Sequence, residues 1–206
     1  MSNNPFTYNG GVIAAMAGKN CVSITCDTRL GANFTTVSTN FVKVFKLQDN
    51  ILLAVTGLAS DVQTFAYVMR NKLELYRLRE NKDMKVTTFV SLVSKTLFEH
   101  RFSPYYINPI VVGLEKDGTP VISSFDSIGS GSTDENIASA GSAEKEVLGM
   151  LEAYYEEDMD KEKLEDILGK CVVYGVDRNI RAGWGAITYT LSDSGLDIKC
   201  LKVKQV

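Results

Sequence analysis

The chain has 206 residues, 45% of them hydrophobic and 23% charged, which predicts one domain with a substantial core and leaves too little length for two. The formal net charge is −3 at pH 7, and the absence of any lysine or arginine run argues against a nucleic-acid partner. No apolar run approaches the roughly 18 residues of a membrane span and no secretory signal is recognisable, so we expect a protein of the cytosol or nucleus without membrane contact.

Five strand-like segments open the chain, and two segments with helical spacing follow them. The predicted strands, rich in β-branched and apolar residues, cover residues 12–16, 21–26, 34–38, 41–47 and 51–56. Apolar positions then recur every three or four residues, which predicts amphipathic helices over 60–79 and 87–102.

The second half of the chain repeats this order. Strands are predicted over 109–114, 120–125 and 137–140, helices over 143–155 and 161–176, and closing strands over 185–191 and 196–203. The acidic stretch 156–160 between the two helices is typical of a solvated connection. Two sheets packed face to face, each covered on its outer side by a helix pair, would bury every apolar face; a single antiparallel sheet with helices on one side is the alternative.

The cysteines and the single histidine limit the possible chemistry. Four cysteines, at Cys21, Cys26, Cys171 and Cys200, lie in apolar runs without CxxC spacing, which predicts buried free thiols in a reducing compartment. His100 is the chain's one histidine and is expected to be a partly exposed helix residue. A histidine metal cluster is therefore excluded, a histidine exposed on a helix argues against a Ser–His–Asp triad, and we expect no metal and no cofactor.

Five segments together carry a resemblance to a known family: "CDTR", "NFVKVF", "TGLASDVQTF", "AGSAEKEVLGM" and "VDRNIRAGWG". Over essentially the whole chain the sequence resembles the beta-type subunits of the proteasome core particle, which are N-terminal nucleophile hydrolases. "FSPYY", "YNGG" and "AVTGLASDVQT" indicate one particular beta type. The resemblance implies an α+β fold, a four-layer αββα sandwich of two mainly antiparallel sheets. It also implies other beta subunits of the same and the opposite ring, and alpha-ring subunits, as partners in the cytoplasm and nucleus.

The family's nucleophile is a threonine at the mature N-terminus, whose own α-amine, helped by a nearby lysine and water, moves the proton. Counting back from the aspartate of "CDTR", the nucleophile's position falls on Gly11, which has no side chain. Asp27 and Lys43 stand at the family's aspartate and lysine. They are open to interpretation as a catalytic pair or a structural ion pair; the second is favoured, because removing one member of a buried pair strands a charge.

Of the three remaining family positions, one keeps the family's residue type and two do not. Ser142 in "AGSA" matches the serine of the family's GSG motif, whereas "GSGS" at 129–132 is expected to be a hairpin loop. Asn179 and Ala182 stand where the family has an aspartate and a serine, and they supply neither a carboxylate nor a hydroxyl. The resemblance thus implies a non-catalytic subunit, and residues 1–10 are expected to remain as a short unprocessed extension of one domain spanning 1–206.

Several residues keep two interpretations at this point. Gly10 and Gly11 form a turn with positive φ on their own chemistry, and Gly11 marks a lost nucleophile on the resemblance. Asp126 either ends a strand or, on the resemblance, contributes a carboxylate to the specificity pocket of an adjacent trypsin-like subunit. Trp184 is either a packing anchor or an interface residue. The rival functions are a hydrolase with a different nucleophile and a free-standing binding module.

Overall fold

Two five-stranded antiparallel sheets form the centre of the molecule, for which we describe residues 4–133 and 135–203 of a computed structural model. The first sheet has the spatial order β10 (Ile137–Gly141), β1 (Val12–Gly18), β2 (Cys21–Asp27), β11 (Ala186–Ser192) and β12 (Gly195–Leu201). The second has the order β5 (Val44–Gln48), β6 (Ile51–Gly57), β7 (Ile107–Leu114), β8 (Pro120–Phe125) and β9 (Gly131–Thr133). A separate small hairpin pairs β3 (Leu30–Ala32) with β4 (Thr35–Ser38).

The helices cover the outer faces of these sheets. Apart from the short α1 (Pro5–Tyr8), they are α2 (Ala59–Glu80), α3 (Val86–Glu99), α4 (Glu144–Tyr154) and α5 (Lys161–Val176). Helices α2 and α3 share an apolar core with the second sheet, α4 and α5 share one with the first, and a third core lies between the sheets. The four-layer αββα sandwich is confirmed, and the single-sheet alternative is wrong. Within the described ranges, no helix is long and apolar enough to cross a bilayer.

Strand β1 shows why this arrangement suits the sequence. All seven of its residues are buried, because alternate side chains face different cores. Val12, Ala14 and Met16 pack under α4 and α5, whereas Ile13 and Ala15 pack between the sheets. Such a strand needs apolar side chains on both faces, which explains its uninterrupted apolar sequence.

Several element boundaries differ from the sequence prediction. The predicted helix 87–102 ends at Glu99, and His100, at the end of α3, is exposed with its ring 4.7 Å from that of Tyr105. The predicted strand 41–47 starts only at Val44. The expected loop at 129–132 is in part strand β9, and α1 and β3 were not predicted; all three elements are four residues or shorter, so their periodicity is weak.

The prediction of four buried thiols is wrong at Cys200. Cys21, Cys26 and Cys171 are buried, and Cys200 is exposed. The reason is its position on β12, the edge strand of the first sheet, where five of seven residues are exposed. Burial raises the pKa of the Cys26 thiol to about 12 and also raises the pKa values of the Cys21 and Cys171 thiols, so these three groups stay protonated.

Buried hydroxyls join β2 to β11 on the side that faces α5. The Ser23 and Thr190 hydroxyl oxygens are 2.7 Å apart, and those of Thr25 and Thr188 are also 2.7 Å apart. All four residues are nearly inaccessible to solvent. Each hydroxyl therefore depends on its partner across the two strands, because water cannot replace that partner.

Removing one hydroxyl of such a pair should destabilise the chain. Thr188→Val leaves the Thr25 hydroxyl buried without its partner, and we expect the free energy of unfolding to fall by about 1–3 kcal/mol. The double variant Thr25→Val/Thr188→Val should lose less than the sum of the two single variants, because no unpaired hydroxyl remains. Urea unfolding measures both, with Thr35→Val at an exposed strand position as the control that should change little.

Candidate functional site

The double glycine at the start of β1 is held by backbone contacts. Gly10 and Gly11 have φ angles of 67° and 105°, which glycine adopts without a Cβ penalty. The Gly11 N–H donates to the Arg181 carbonyl at 3.0 Å, and a Cβ on Gly10 would collide with that same oxygen. The Gly11 carbonyl accepts from the Ser142 N–H at 2.8 Å and from its Oγ at 3.2 Å. Hydrogen bonds with Arg181 and Ser142 thus hold the Gly10–Gly11 turn in place.

A buried ion pair lies next to Gly11. The Lys43 Nζ donates to Asp27 Oδ1 at 2.8 Å, to the Asp27 carbonyl at 3.0 Å and to the Arg29 carbonyl at 2.8 Å. These contacts use all three N–H groups of the ammonium. Asp27 also accepts from the backbone N–H groups of Val12 at 2.8 Å and Gly183 at 3.0 Å. Both charged side chains are almost fully buried, and the Lys43 Nζ and both carboxylate oxygens of Asp27 are hydrogen-bonded.

The Lys43 side chain fills the space that a side chain at position 11 would need. A Cβ built on Gly11 would lie 2.5 Å from Lys43 Cε, 2.9 Å from its Nζ and 3.1 Å from Asp27 Oδ1. A real Cβ does not approach a carbon at 2.5 Å. Lys43 in its observed position therefore excludes any residue larger than glycine at position 11.

On the other side of Gly11, the side-chain amide of Asn179 both donates and accepts hydrogen bonds. Its Nδ2 donates to the Ser142 carbonyl at 2.7 Å, and its Oδ1 accepts from the Arg181 N–H at 2.9 Å. The Ser142 Oγ also lies 3.4 Å from that Oδ1. An ionised aspartate could not make the bond to the Ser142 carbonyl, because a carboxylate has no hydrogen to donate. Ala182 is buried beside this turn.

The structure therefore brings six of the seven sequence-predicted positions together and leaves Asp126 apart. Asp126 follows β8, where its Oδ1 accepts from the N–H groups of Ile128 at 3.0 Å and Ser130 at 2.8 Å. The side chain thus closes the β8–β9 turn. Trp184 is half-buried with a φ of 67°, in the loop that leads into β11.

Sequence reasoning missed Arg29, the largest fully buried side chain in the described part of the molecule. Its guanidinium donates to the carbonyls of Arg181 at 2.9 Å and Asn33 at 3.2 Å and to the Thr36 hydroxyl at 3.0 Å. Burial lowers the pKa of this group from its ordinary value. Its place in "CDTR", directly after a buried strand, was the available signal.

The site offers little for metal or nucleophilic chemistry. Across residues 4–133 and 135–203, no three His, Cys, Asp or Glu side chains are grouped as metal ligands. The two oxygens that the Ser142 hydroxyl contacts belong to the Gly11 carbonyl and the Asn179 amide. Neither oxygen is basic enough to remove the hydroxyl proton, so this arrangement does not activate Ser142.

Comparison with known proteins identifies the family. A family profile described as proteasome subunit matches residues 7–191. The chain belongs to the proteasome subunit family. This proteasome subunit is 41% identical to the probable proteasome subunit beta type-3 of Schizosaccharomyces pombe, an alignment that covers 95% of the chain and 94% of that relative. Identity to proteasome subunit beta type-3 of Saccharomyces cerevisiae is 37%, over 98% of both chains. The family resemblance seen in the sequence is thereby confirmed.

Identity to proteasome subunit beta type-3-A of Arabidopsis thaliana is 39%, over 96% of this proteasome subunit and 97% of the relative. The beta type indicated by "FSPYY", "YNGG" and "AVTGLASDVQT" is also confirmed, since all three of these relatives carry the type-3 designation. The contacts around Gly11 are therefore contacts within a proteasome subunit fold.

Breaking the buried ion pair should destabilise the chain strongly. Lys43→Met leaves the Asp27 carboxylate charged, buried and short of one donor, and we expect the free energy of unfolding to fall by about 3–5 kcal/mol. Lys46→Met is the matched control, because Lys46 pairs with Asp49 on the surface at the same 2.8 Å distance. Urea unfolding of both variants tests this; equal and small effects would show that the buried pair contributes little.

Proposed function

We propose that the chain is a non-catalytic, type-3 beta-ring subunit of the 20S proteasome core particle, with a structural role in ubiquitin- and ATP-dependent protein degradation. The main support is the geometry at Gly11. A terminal-threonine mechanism needs a hydroxyl nucleophile and a free α-amine. Gly11 has no side chain and therefore no hydroxyl that could attack a peptide carbonyl.

The state of Lys43 supports the same proposal. A lysine that assists proton transfer must contact the group that gains or loses the proton. All three N–H groups of Lys43 instead donate to oxygens of Asp27 and Arg29. The pair then acts as a structural element, retained because a single loss would bury an unpaired charge.

A hydrolase with a different nucleophile is the less favoured function. Ser142 contacts amide and carbonyl oxygens, and Cys26 is a buried thiol whose raised pKa keeps it protonated. A nucleophile needs an adjacent base or a lowered pKa, and these groups have neither among their contacts in the described ranges.

The proposed role is to complete a beta ring and to hold it against its neighbours. The partners would be other beta subunits of the same and the opposite ring and alpha-ring subunits, in cytoplasm and nucleus, without nucleic acid or membrane. Large exposed apolar side chains agree with burial in an assembly, among them Phe102, 98% exposed, and Leu78, 79% exposed.

Asp126 would contribute to a neighbour's specificity. Both of its turn contacts use Oδ1, so Oδ2 remains for a further donor. We propose that Oδ2 borders the specificity pocket of an adjacent trypsin-like subunit and attracts a basic substrate side chain. The two hydrogen bonds from the Ile128 and Ser130 N–H groups would fix the position of the Asp126 carboxylate at the end of β8.

One experiment tests the non-catalytic role. The native particle is treated with a covalent peptide probe that reacts with a nucleophilic N-terminal threonine, and all subunit masses are then measured. We expect this chain to come from a large particle of different subunits, with residues 1–10 attached and no added probe mass. Probe-labelled subunits in the same sample are the control. Labelling of this chain, or its recovery as a free monomer, would contradict the proposal.

A second experiment tests Asp126. In the assembled particle, Asp126→Asn should weaken cleavage after basic residues about tenfold or more, the loss expected when a charged partner is replaced by a neutral one. The asparagine keeps an oxygen for the Ile128 and Ser130 N–H groups, so the turn should survive. Fluorogenic peptides with basic and apolar cleavage sites provide the measurement, and equal effects on both would refute the pocket assignment.

A further inference from the structure

The turn between β8 and β9, which carries Asp126, packs directly against helix α3. Gly129 in this turn is buried and has a φ of 86°. A Cβ on Gly129 would lie 2.3 Å from the Ser94 carbonyl oxygen and 3.1 Å from the Leu97 Cβ. Glycine therefore lets the backbone of the turn approach the backbone of the helix. The position of α3 thus determines where the turn lies.

The Ser94 hydroxyl bonds differently from other hydroxyls of α3. A serine or threonine within a helix commonly donates to the carbonyl four residues earlier. Ser91 and Thr96 donate in this way, at 3.2 Å and 2.8 Å. The Ser94 hydroxyl instead donates to the Gly129 carbonyl at 2.7 Å, 35 residues later in the chain. Its hydrogen bond therefore joins the turn to the helix.

One peptide group connects this hydrogen bond to Asp126. The carbonyl of Gly129 and the N–H of Ser130 belong to the same planar peptide group. Its carbonyl accepts from Ser94 Oγ at 2.7 Å, and its N–H donates to Asp126 Oδ1 at 2.8 Å. The peptide group cannot rotate without breaking both bonds. The Ser94 hydroxyl thus sets the direction of an N–H that holds the carboxylate.

Without the Ser94 hydroxyl, this peptide group would be less constrained. Its rotation changes the ψ angle of Gly129, and glycine has the widest range of allowed backbone angles. Two bonds of the turn would remain: the Ile128 N–H donates to Asp126 Oδ1 at 3.0 Å, and the Asp126 N–H donates to the Ser130 carbonyl at 2.9 Å. The turn would therefore stay closed while its carboxylate had one donor fewer.

The part of α3 that carries Ser94 is a rigid support. Val93 and Leu97, on either side of Ser94 in the sequence, are fully buried in the core that α2 and α3 share with the second sheet. Close packing in such a core leaves little room for the helix to shift. The core therefore fixes Ser94, and Ser94 fixes the peptide group that bonds to Asp126.

We propose that Ser94 is a positioning residue for Asp126 and, through it, for the cleavage specificity of the adjacent trypsin-like subunit. The inference rests on the proposed contribution of Asp126 to that neighbour's pocket, and it adds a residue from a different element of this chain. Ser94 itself would contact no substrate. A carboxylate binds a basic side chain best when its oxygens are already held in place before the substrate arrives.

Peptide cleavage by the assembled particle tests this role. Ser94→Ala removes the hydroxyl, and we expect kcat/KM at a basic cleavage site to fall about three- to tenfold, as expected for the loss of one hydrogen bond. Cleavage at an apolar site should not change. Ser94→Thr restores a hydroxyl and should recover most of the loss, because the cleft of about 400 Å³ beside Ser94 has room for a methyl group.

Ser91→Ala is the matched control, because the Ser91 hydroxyl lies one turn earlier in α3 and bonds within the helix. It should leave both cleavages unchanged. Unchanged basic-site cleavage in Ser94→Ala particles would overturn the inference. Equal losses at basic and apolar sites, or a Ser94→Thr loss as large as that of Ser94→Ala, would also overturn it.

A double variant distinguishes an error in this inference from an error in the pocket assignment. In Asp126→Asn particles, adding Ser94→Ala should reduce basic-site cleavage no further, because Ser94 acts through the carboxylate. A further loss of full size would show that Ser94 acts elsewhere, and the inference would be wrong. If Asp126→Asn reduces basic-site cleavage and Ser94→Ala does not, positioning by Ser94 alone is wrong. If Asp126→Asn has no effect, the pocket assignment is wrong and the inference fails with it.

Hydrogen exchange at the Ser130 amide tests the contact without a substrate. In Ser94→Ala particles this N–H should exchange about threefold faster or more, because its peptide group is no longer bonded at the carbonyl. The Gly118 N–H is the control: it donates to the Glu115 carbonyl at 3.0 Å in the turn at the other end of β8, and its rate should not change. Unchanged exchange at Ser130, or equal acceleration at Gly118, would contradict positioning by Ser94.

Discussion

The buried contact between Asp27 and Lys43 holds together the parts of the chain around the start of β1. Asp27 receives backbone N–H groups from Val12 in β1 and from Gly183 before β11, while Lys43 precedes β5 of the other sheet. One carboxylate thus connects both sheets of the sandwich at a common point. The pair tolerates burial because the two charges neutralise each other and each charged atom has a hydrogen-bond partner, the condition under which a buried charge becomes acceptable.

Arg29 and Gly31 depend on this arrangement. The carbonyl of Arg29 is an acceptor of Lys43, and its guanidinium crosses above Gly31, where a Cβ would collide with it. The guanidinium and the Gly11 N–H share the Arg181 carbonyl as acceptor. A change at any of these positions would therefore alter the hydrogen bonding of several others, so the effects of substitutions within the cluster should not add.

Much of the fold follows from the sequence, and the exceptions have physical causes. The all-apolar β1 and the regular spacing in α5 identify their elements directly, since burial of one or both faces dictates the pattern. Cys200 shows the limit: it lies between Lys199 and Leu201, and its exposure depends on whether another strand lies beside β12, which local sequence does not encode. The short β3 pairs with the nearby β4 and in addition bonds to Asn9, 22 residues earlier in the chain.

Some residues of the candidate site can likewise be predicted from the sequence, and others cannot. Counting from "CDTR" placed Gly11, Asp27 and Lys43, because their family motif has fixed spacing. Asn9 bonds to backbone groups 22 and 50 residues away, and Arg29 to a carbonyl 152 residues away, and backbone groups are the same in every residue. No pattern of residues in the sequence therefore predicts which backbone group a side chain will bond to. Such contacts become visible only when the fold brings the segments together.

The amide of Asn179 limits which single substitutions the site can accept. Aspartate at position 179 would leave the Ser142 carbonyl without its donor, and any side chain at Gly11 would meet Lys43 in a strained backbone conformation. Either change alone would therefore lower the stability of the chain. A hydroxyl could be introduced at position 11 only if Lys43 and the backbone before β1 moved with it.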